Sequence, residues 1–237
     1  MRRAVPLLAE AALFLLALWA APRAEPLWHA LFPEVARPAY LAESWFVLLA
    51  THLALALGAV AVAAILGIGA GIAAAPNPAA RPALDTAFSL AQAVPPVAVI
   101  ALSLPLLGFG AAPTLLALVH YAALPVLRAT ASGLAAVPPD VTEAARGLGM
   151  GRWRRLREVE LPLAAPVLLS GLRVAATLSI ATAAIGAVAG ARCLGTPIIL
   201  GLANGNAAYV LQGALFTAWL ALITDRALGL LAPRPLP

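Results

Sequence analysis

Residues 46–75 run for thirty positions without a single acidic, arginine or lysine side chain. A helix rises about 1.5 Å per residue, so such a run exceeds the roughly 30 Å of a bilayer's hydrocarbon core. It reads as a membrane-crossing helix that tilts or projects beyond the lipid. The rest of the chain agrees: 63% of its residues are hydrophobic and 11% charged, against about 25% charged in a soluble domain. The predicted class is an all-α polytopic membrane protein with about six spans.

Met1-Arg2-Arg3 followed by AVPLLAEAALFLLALWAA has the charged start, apolar run and small terminal residues of a signal peptide. The run is nevertheless long enough to cross and more spans follow, so it reads as a retained first helix. Glu10 lies inside it, where a carboxylate reaches the headgroups or is protonated. Residues 22–44 carry four prolines, three glutamates and two arginines, which predicts an outer loop with an interfacial turn. Trp28 and Tyr40 are expected at headgroup level and His29 in water.

In the second span, Gly67 and Gly71 form a small-xxx-small pair that permits close helix contact. His52 has no acidic partner nearby and is expected to hydrogen-bond between helices rather than carry protons. The third span, 85–107, holds Pro95-Pro96 at its middle. Adjacent prolines leave carbonyls without helical donors, so the helix should be kinked or broken. In lipid such backbone is tolerated only against protein or a water-filled cavity, which makes Gln92, Pro95, Pro96 and Ser103 candidate pathway residues. A fourth span is expected at 111–127 and a fifth at 163–191, with Arg173 snorkelling and Gly186 and Gly190 in close contact. An outer loop, 192–206, and a sixth span, 207–224, complete the chain.

Charge placement tests this layout. With both termini cytoplasmic, twelve arginines fall on the inner side (Arg2, Arg3, Arg81, Arg128, Arg146, Arg152, Arg154, Arg155, Arg157, Arg173, Arg226 and Arg234) and three, Arg23, Arg37 and Arg192, on the outer. That is the bias of a chain whose basic loops stay in the cytoplasm.

The inner side then includes the most polar stretch, VPPDVTEAARGLGMGRWRRLREVELP at 137–162, with five of the fifteen arginines and four of the ten acidic residues. Pro138 and Pro139 stop the preceding helix. Asp140 is the expected N-cap of a new one, with Glu143 completing an acidic capping box. Gly147 and Gly149 should end it after two turns. Val141, Ala144, Ala145 and Leu148 then share a narrow face that another protein could approach closely.

Glu143-Ala144-Ala145, three residues, Gly149, nine residues, Val159, one residue and Leu161-Pro162 resemble, position for position, the EAA loop of bacterial ABC importer permeases. The runs SLAQAVPPVAVIALSLPLLGFG, ALPVLRATASGLAAVPPDVTEAARGLGM and VELPLAAPVLLSGLRVAATLSIATAAIGA are similar to the permease subunits of glycine betaine, carnitine and choline importers. The resemblance implies a type I, MetI-like permease core over 45–237, preceded by a helix and outer loop over 1–44. It implies ATPase coupling through Asp140, Glu143, Ala144, Ala145, Arg146, Gly149, Leu161 and Pro162. The implied partners are a cytoplasmic ATPase, a second permease subunit, an external binding protein and the bilayer of the bacterial inner membrane. One stretch departs from the family pattern. Where a run of glycines is expected after the fifth span stands Gly190-Ala191-Arg192-Cys193-Leu194-Gly195, which bears on substrate more than on fold.

Other chemistry is not written into the chain. Without a lysine it lacks a Walker A motif, so any ATP hydrolysis belongs to another chain. No carboxylate pair, metal-ligand spacing or cofactor fingerprint stands out, the three histidines are scattered, and the sparse aromatics argue against nucleic acid. The single cysteine, Cys193, has no disulfide partner and reads as a packed side chain. Arg152, Arg154, Arg155 and Arg157 face either the ATPase or lipid headgroups. The alternatives are a same-fold permease for an amino acid or thione-betaine, or a polytopic membrane enzyme or scaffold.

Overall fold

A computed structural model describes residues 4–230 apart from 76, 78 and 79. Arg2, Arg3, Arg234 and the side chain of Arg81, all assigned above to the inner side, lie outside the described residues. The described chain is helical: α1 (Ala4–Ala20), α2 (Glu25–Leu31), α3 (Trp45–Ala74), α4 (Ala80–Gln92), α5 (Pro96–Leu107), α6 (Ala111–Ala135), α7 (Pro139–Gly147), α8 (Arg152–Arg155), α9 (Leu161–Ala183), α10 (Thr196–Asn204) and α11 (Ala207–Gly229). Among the described residues five helices are long and apolar enough to cross a membrane, and α4 with α5 makes a sixth span if the bent pair counts as one.

The centre is α6, with α3 and α9 packed on either side. Lipid tails are as apolar as leucine, so these helices associate through close packing rather than through hydrophobic burial from water. Glycines make that packing possible. A methyl added at Gly67 would lie 2.8 Å from Val126 Cβ, one at Gly71 2.6 Å from Thr130, and one at Gly171 2.2 Å from Ala129 Cβ. The expected Gly67/Gly71 contact is therefore formed, against α6. The Gly186/Gly190 pair is formed only in part: Gly186 abuts Thr114, whereas Gly190, at φ +79°, ends a 3-10 turn in open space.

Buried polar groups tie the elements together. His52 Nε2 donates to Ile180 O at 2.9 Å and its Nδ1 accepts from Leu194 N at 3.3 Å, joining α3, α9 and the segment before α10. Both ring nitrogens are used by a neutral imidazole, the expected interhelical role. Gln212 on α11 donates to Pro38 O at 2.6 Å and accepts from Tyr40 N at 3.2 Å, pinning the outer loop to the last span.

Several expectations change. Trp28 and Tyr40 are not at a free interface: Trp28 is buried and donates to Ala21 O, while Tyr40 is 1% exposed among the rings of Trp45 and Tyr209. Residues 192–206 are not a loop. Pro197 occupies the first turn of α10 and Gly205, at φ +66°, ends it, so the proline starts a short helix inside the expected loop. Arg173 does not simply snorkel, because Asp225 takes it in a fork at 2.6 and 2.5 Å. Glu10 is ion-paired with Arg226. The fourth span extends to Ala135 and the sixth to Gly229, past their expected ends at 127 and 224.

Candidate functional site

The polar loop folds into α7 followed by a longer helical arm. Pro139 takes the first turn of α7 and Pro138 its cap, with no side-chain capping bond. Asp140 is therefore not the N-cap: a proline fits the position where an N–H has no partner anyway, and the helix starts two residues earlier than expected. Asp140 remains in the first turn, where its charge complements the helix dipole. The C-terminus follows expectation. Gly149 adopts φ +76°, Met150 N donates to Ala145 O at 3.1 Å and Gly149 N to Arg146 O at 2.9 Å, the paired bonds of a Schellman cap.

Around α7, Glu143, Ala144 and Arg146 are exposed and Ala145 is buried. The four apolar positions are not equally open: Ala145 turns inward, while Leu148 is 83% exposed. Trp153, which the sequence reading passed over, is 69% exposed on the same loop. Two large apolar side chains thus stand uncovered in a charged loop. The signal for Trp153 was its place in the run RWRRLR, an aromatic side chain among arginines.

From Arg152 the chain is helical without interruption to Ala189, 38 residues. Pro162 explains the wide π turn at 156–160. Its ring crowds the carbonyl four residues back and it offers no N–H. A π turn shifts the bonding frame by one residue, and Leu161 N accordingly donates to Leu156 O. The wider pitch also sets Arg155 against Glu160, 2.6 Å apart and both largely buried, while Arg154 and Glu158 pair at 3.0 Å in solvent. Leu161 is half-buried and Pro162 exposed.

The third span is broken. Between α4 and α5 the axis bends by 81°. Pro95 and Pro96 cannot donate to the carbonyls four residues earlier, those of Ala91 and Gln92. Side chains of α6 replace them: His120 Nε2 bonds Ala91 O at 2.8 Å, and Tyr121 OH donates to Gln92 O at 3.2 Å and bonds Val94 O closely. Gln92 Nε2 returns a bond to Tyr121 O at 2.7 Å. The elbow brings Gln92, Pro95 and Pro96 together. Ser103 sits apart, two turns along α5, buried and bonded to Ile100 O. Neither His120 nor Tyr121 was singled out from the sequence as a partner of the break.

At the opposite end of α3 a cleft of about 560 Å³ runs along Thr51, Gly58 and Leu115, with Arg192 at its rim. Arg192 is 3.5 Å from Glu43. Four aromatic rings of the core stack edge to face, Trp45 on Phe216 at 4.7 Å and Tyr40 on Tyr209 at 5.3 Å. Among the described residues no group of three or more His, Cys, Asp or Glu is placed to hold a metal ion. Cys193 is fully buried.

These features define a class. The chain belongs to the family described as the binding-protein-dependent transport system inner membrane component, which matches residues 63–236. It is 38% identical to the osmoprotectant import permease protein OsmY of Salmonella typhimurium, over 75% of this chain and 76% of that protein. It is 33% identical to the glycine betaine/carnitine/choline transport system permease protein OpuCB of Bacillus subtilis, over 75% of this chain and 82% of the relative. Among solved structures, a chain of the inward-facing MetNI methionine ABC transporter superposes with a TM-score of 0.69, covering 81% of this chain and 98% of that one at 19% identity. That likeness speaks to the fold alone. The protein is thus the permease subunit of an ABC importer, a transport component and not an enzyme.

Proposed function

We propose that this permease carries quaternary-amine osmoprotectants such as glycine betaine or choline. It does so as one half of a dimeric pathway whose docking loop faces the cytoplasm. The substrate reading is supported by the names of the relatives, and the orientation by the twelve-to-three distribution of arginines. One observation carries the mechanism: α7, ended by its glycine cap, leads through a continuous helix into a span that packs on the central α6. ATP binding would draw two ATPase subunits together, move the docked loops and open the paired permeases outward to a solute-binding protein. Glu143, Ala144, Arg146 and Gly149 form the docking surface, with Asp140 and Ala145 shaping it and Leu161-Pro162 at the root of the arm. Gln92, Pro95, Pro96 and Ser103 belong to the moving wall of the pathway.

The test is uptake into proteoliposomes holding permease, cognate ATPase and binding protein. ATP-dependent accumulation of labelled glycine betaine or choline is expected; accumulation of methionine or histidine instead overturns the substrate assignment. Arg192, with its cleft, favours a second reading, a solute bearing a carboxylate and no quaternary nitrogen. The ligand of the cognate binding protein separates the two. A cytoplasmic docking loop predicts that cysteines placed at 143 or 148 resist impermeant reagents in whole cells.

A further inference from the structure

We propose that a pocket beneath the docking loop binds the phosphate of an acidic phospholipid, tying α7 to the membrane surface. The pocket, about 410 Å³, lies between α7, the start of the helical arm and the last turns of α3 and α6. Its polar rim is formed by Arg146, Arg152 and Arg155 with a single carboxylate, Glu160. Glu160 is bound to Arg155, and neither Arg146 nor Arg152 has a side-chain hydrogen bond or ion pair among the described residues. Two uncompensated guanidinium forks, flanked by a third, suit a phosphate better than a point charge would, because each presents parallel N–H donors to two oxygens.

The opposite wall is apolar. Ile72 and Ala75 close it from the end of α3, Leu134 and Val137 from the end of α6. A free phosphate gains nothing from that wall, whereas a diester carrying acyl chains does. The depth is right as well. The thirty-residue α3 is about 45 Å long, roughly 15 Å more than the hydrocarbon core, so its last turn, with Ile72, can reach headgroup level. A basic pocket between helix ends at that level meets acidic lipid first. The inference leans on the proposed orientation only for which leaflet supplies the lipid.

The experiment uses the permease purified with its ATPase in mild detergent and exchanged into mixed micelles with equal phosphatidylglycerol and phosphatidylcholine. Bound lipid is read by native mass spectrometry. The wild type is expected to retain phosphatidylglycerol preferentially, Arg152→Gln, which leaves the docking residue Arg146 in place, to lose that preference by several-fold, and Arg157→Gln, an arginine of the same loop outside the pocket, to keep it. No preference in the wild type, or an equal loss in Arg157→Gln, overturns the pocket. Displacement of the lipid by inorganic phosphate overturns the lipid as occupant and assigns the site to a soluble phosphate. The ATPase content of the same samples reports separately on docking: lipid selectivity without ATPase would sink the coupling reading and leave this one standing.

Discussion

Gly149 stands at φ +76° with open space around it, so a side chain there would meet no neighbour and still strain the backbone by about 1–2 kcal/mol. Gly149→Ala is predicted to fray the end of α7 and lower recovery of the ATPase with the permease. Glu143→Lys should abolish uptake by reversing charge on the docking surface. Both should leave membrane insertion unchanged, as read by alkali-resistant membrane association; normal transport by the two variants would remove α7 from the mechanism. Tyr40 offers a test by pH. Its burial, with the Glu43 and Tyr209 charges adding, pushes the phenol from 10.0 up to about 12. An unfolded chain would ionise it near 10 while the folded chain keeps it neutral, so stability holds below that and falls as pH rises towards 12. Denaturation midpoints of Tyr40→Phe should fall less steeply over that window. Residue-scale chemistry was only partly legible beforehand. Gly149 could be read because its consequence is local. Tyr40 was misplaced because a tyrosine reads the same in a headgroup layer and in a packed outer loop, and Arg173 because its partner lies 52 positions away.

Among the elements, the elbow of the third span shows where sequence legibility ends. Two adjacent prolines announce broken backbone bonds but not what repairs them, since His120 and Tyr121 come from a helix nearly thirty residues on. Tyr121→Phe removes the hydroxyl that serves two carbonyls and should cost about 0.5–1.5 kcal/mol, visible as a lower melting temperature in detergent. If the elbow is part of the moving wall, that variant also slows uptake more than it slows ATP hydrolysis by the assembled transporter; proportional losses would make the elbow merely structural. Gly171 tests the central packing. Leucine there would drive into Ala129 and the Pro125 carbonyl, separating α9 from α6, and overpacking of this kind costs about 1–3 kcal/mol or more. A folded, fully active Gly171→Leu permease would contradict the described contact. Helix α10 was missed from the sequence because proline and glycine bound short helices as readily as they interrupt long ones.

For the molecule as a whole, the number and order of spans followed from apolar run lengths, while their joining did not. Helix α1 is held to α11 by the Glu10 and Arg226 pair and by Phe14 set edge-on to Phe216 and Trp219, with ring centroids 6.0 and 5.5 Å apart. N-terminal sequencing of the protein extracted from membranes is predicted to find this helix still attached. Finding the chain cut near residue 21 would restore the signal-peptide reading. The uninterrupted helix from Arg152 to Ala189 has a mechanical meaning. At about 57 Å, a helix swinging as one piece by roughly 10° about its midpoint would displace either tip by about 5 Å. If α7 is the docking element, a small stroke at the Arg152 end would arrive, undiminished and reversed in direction, at the Ala189 end.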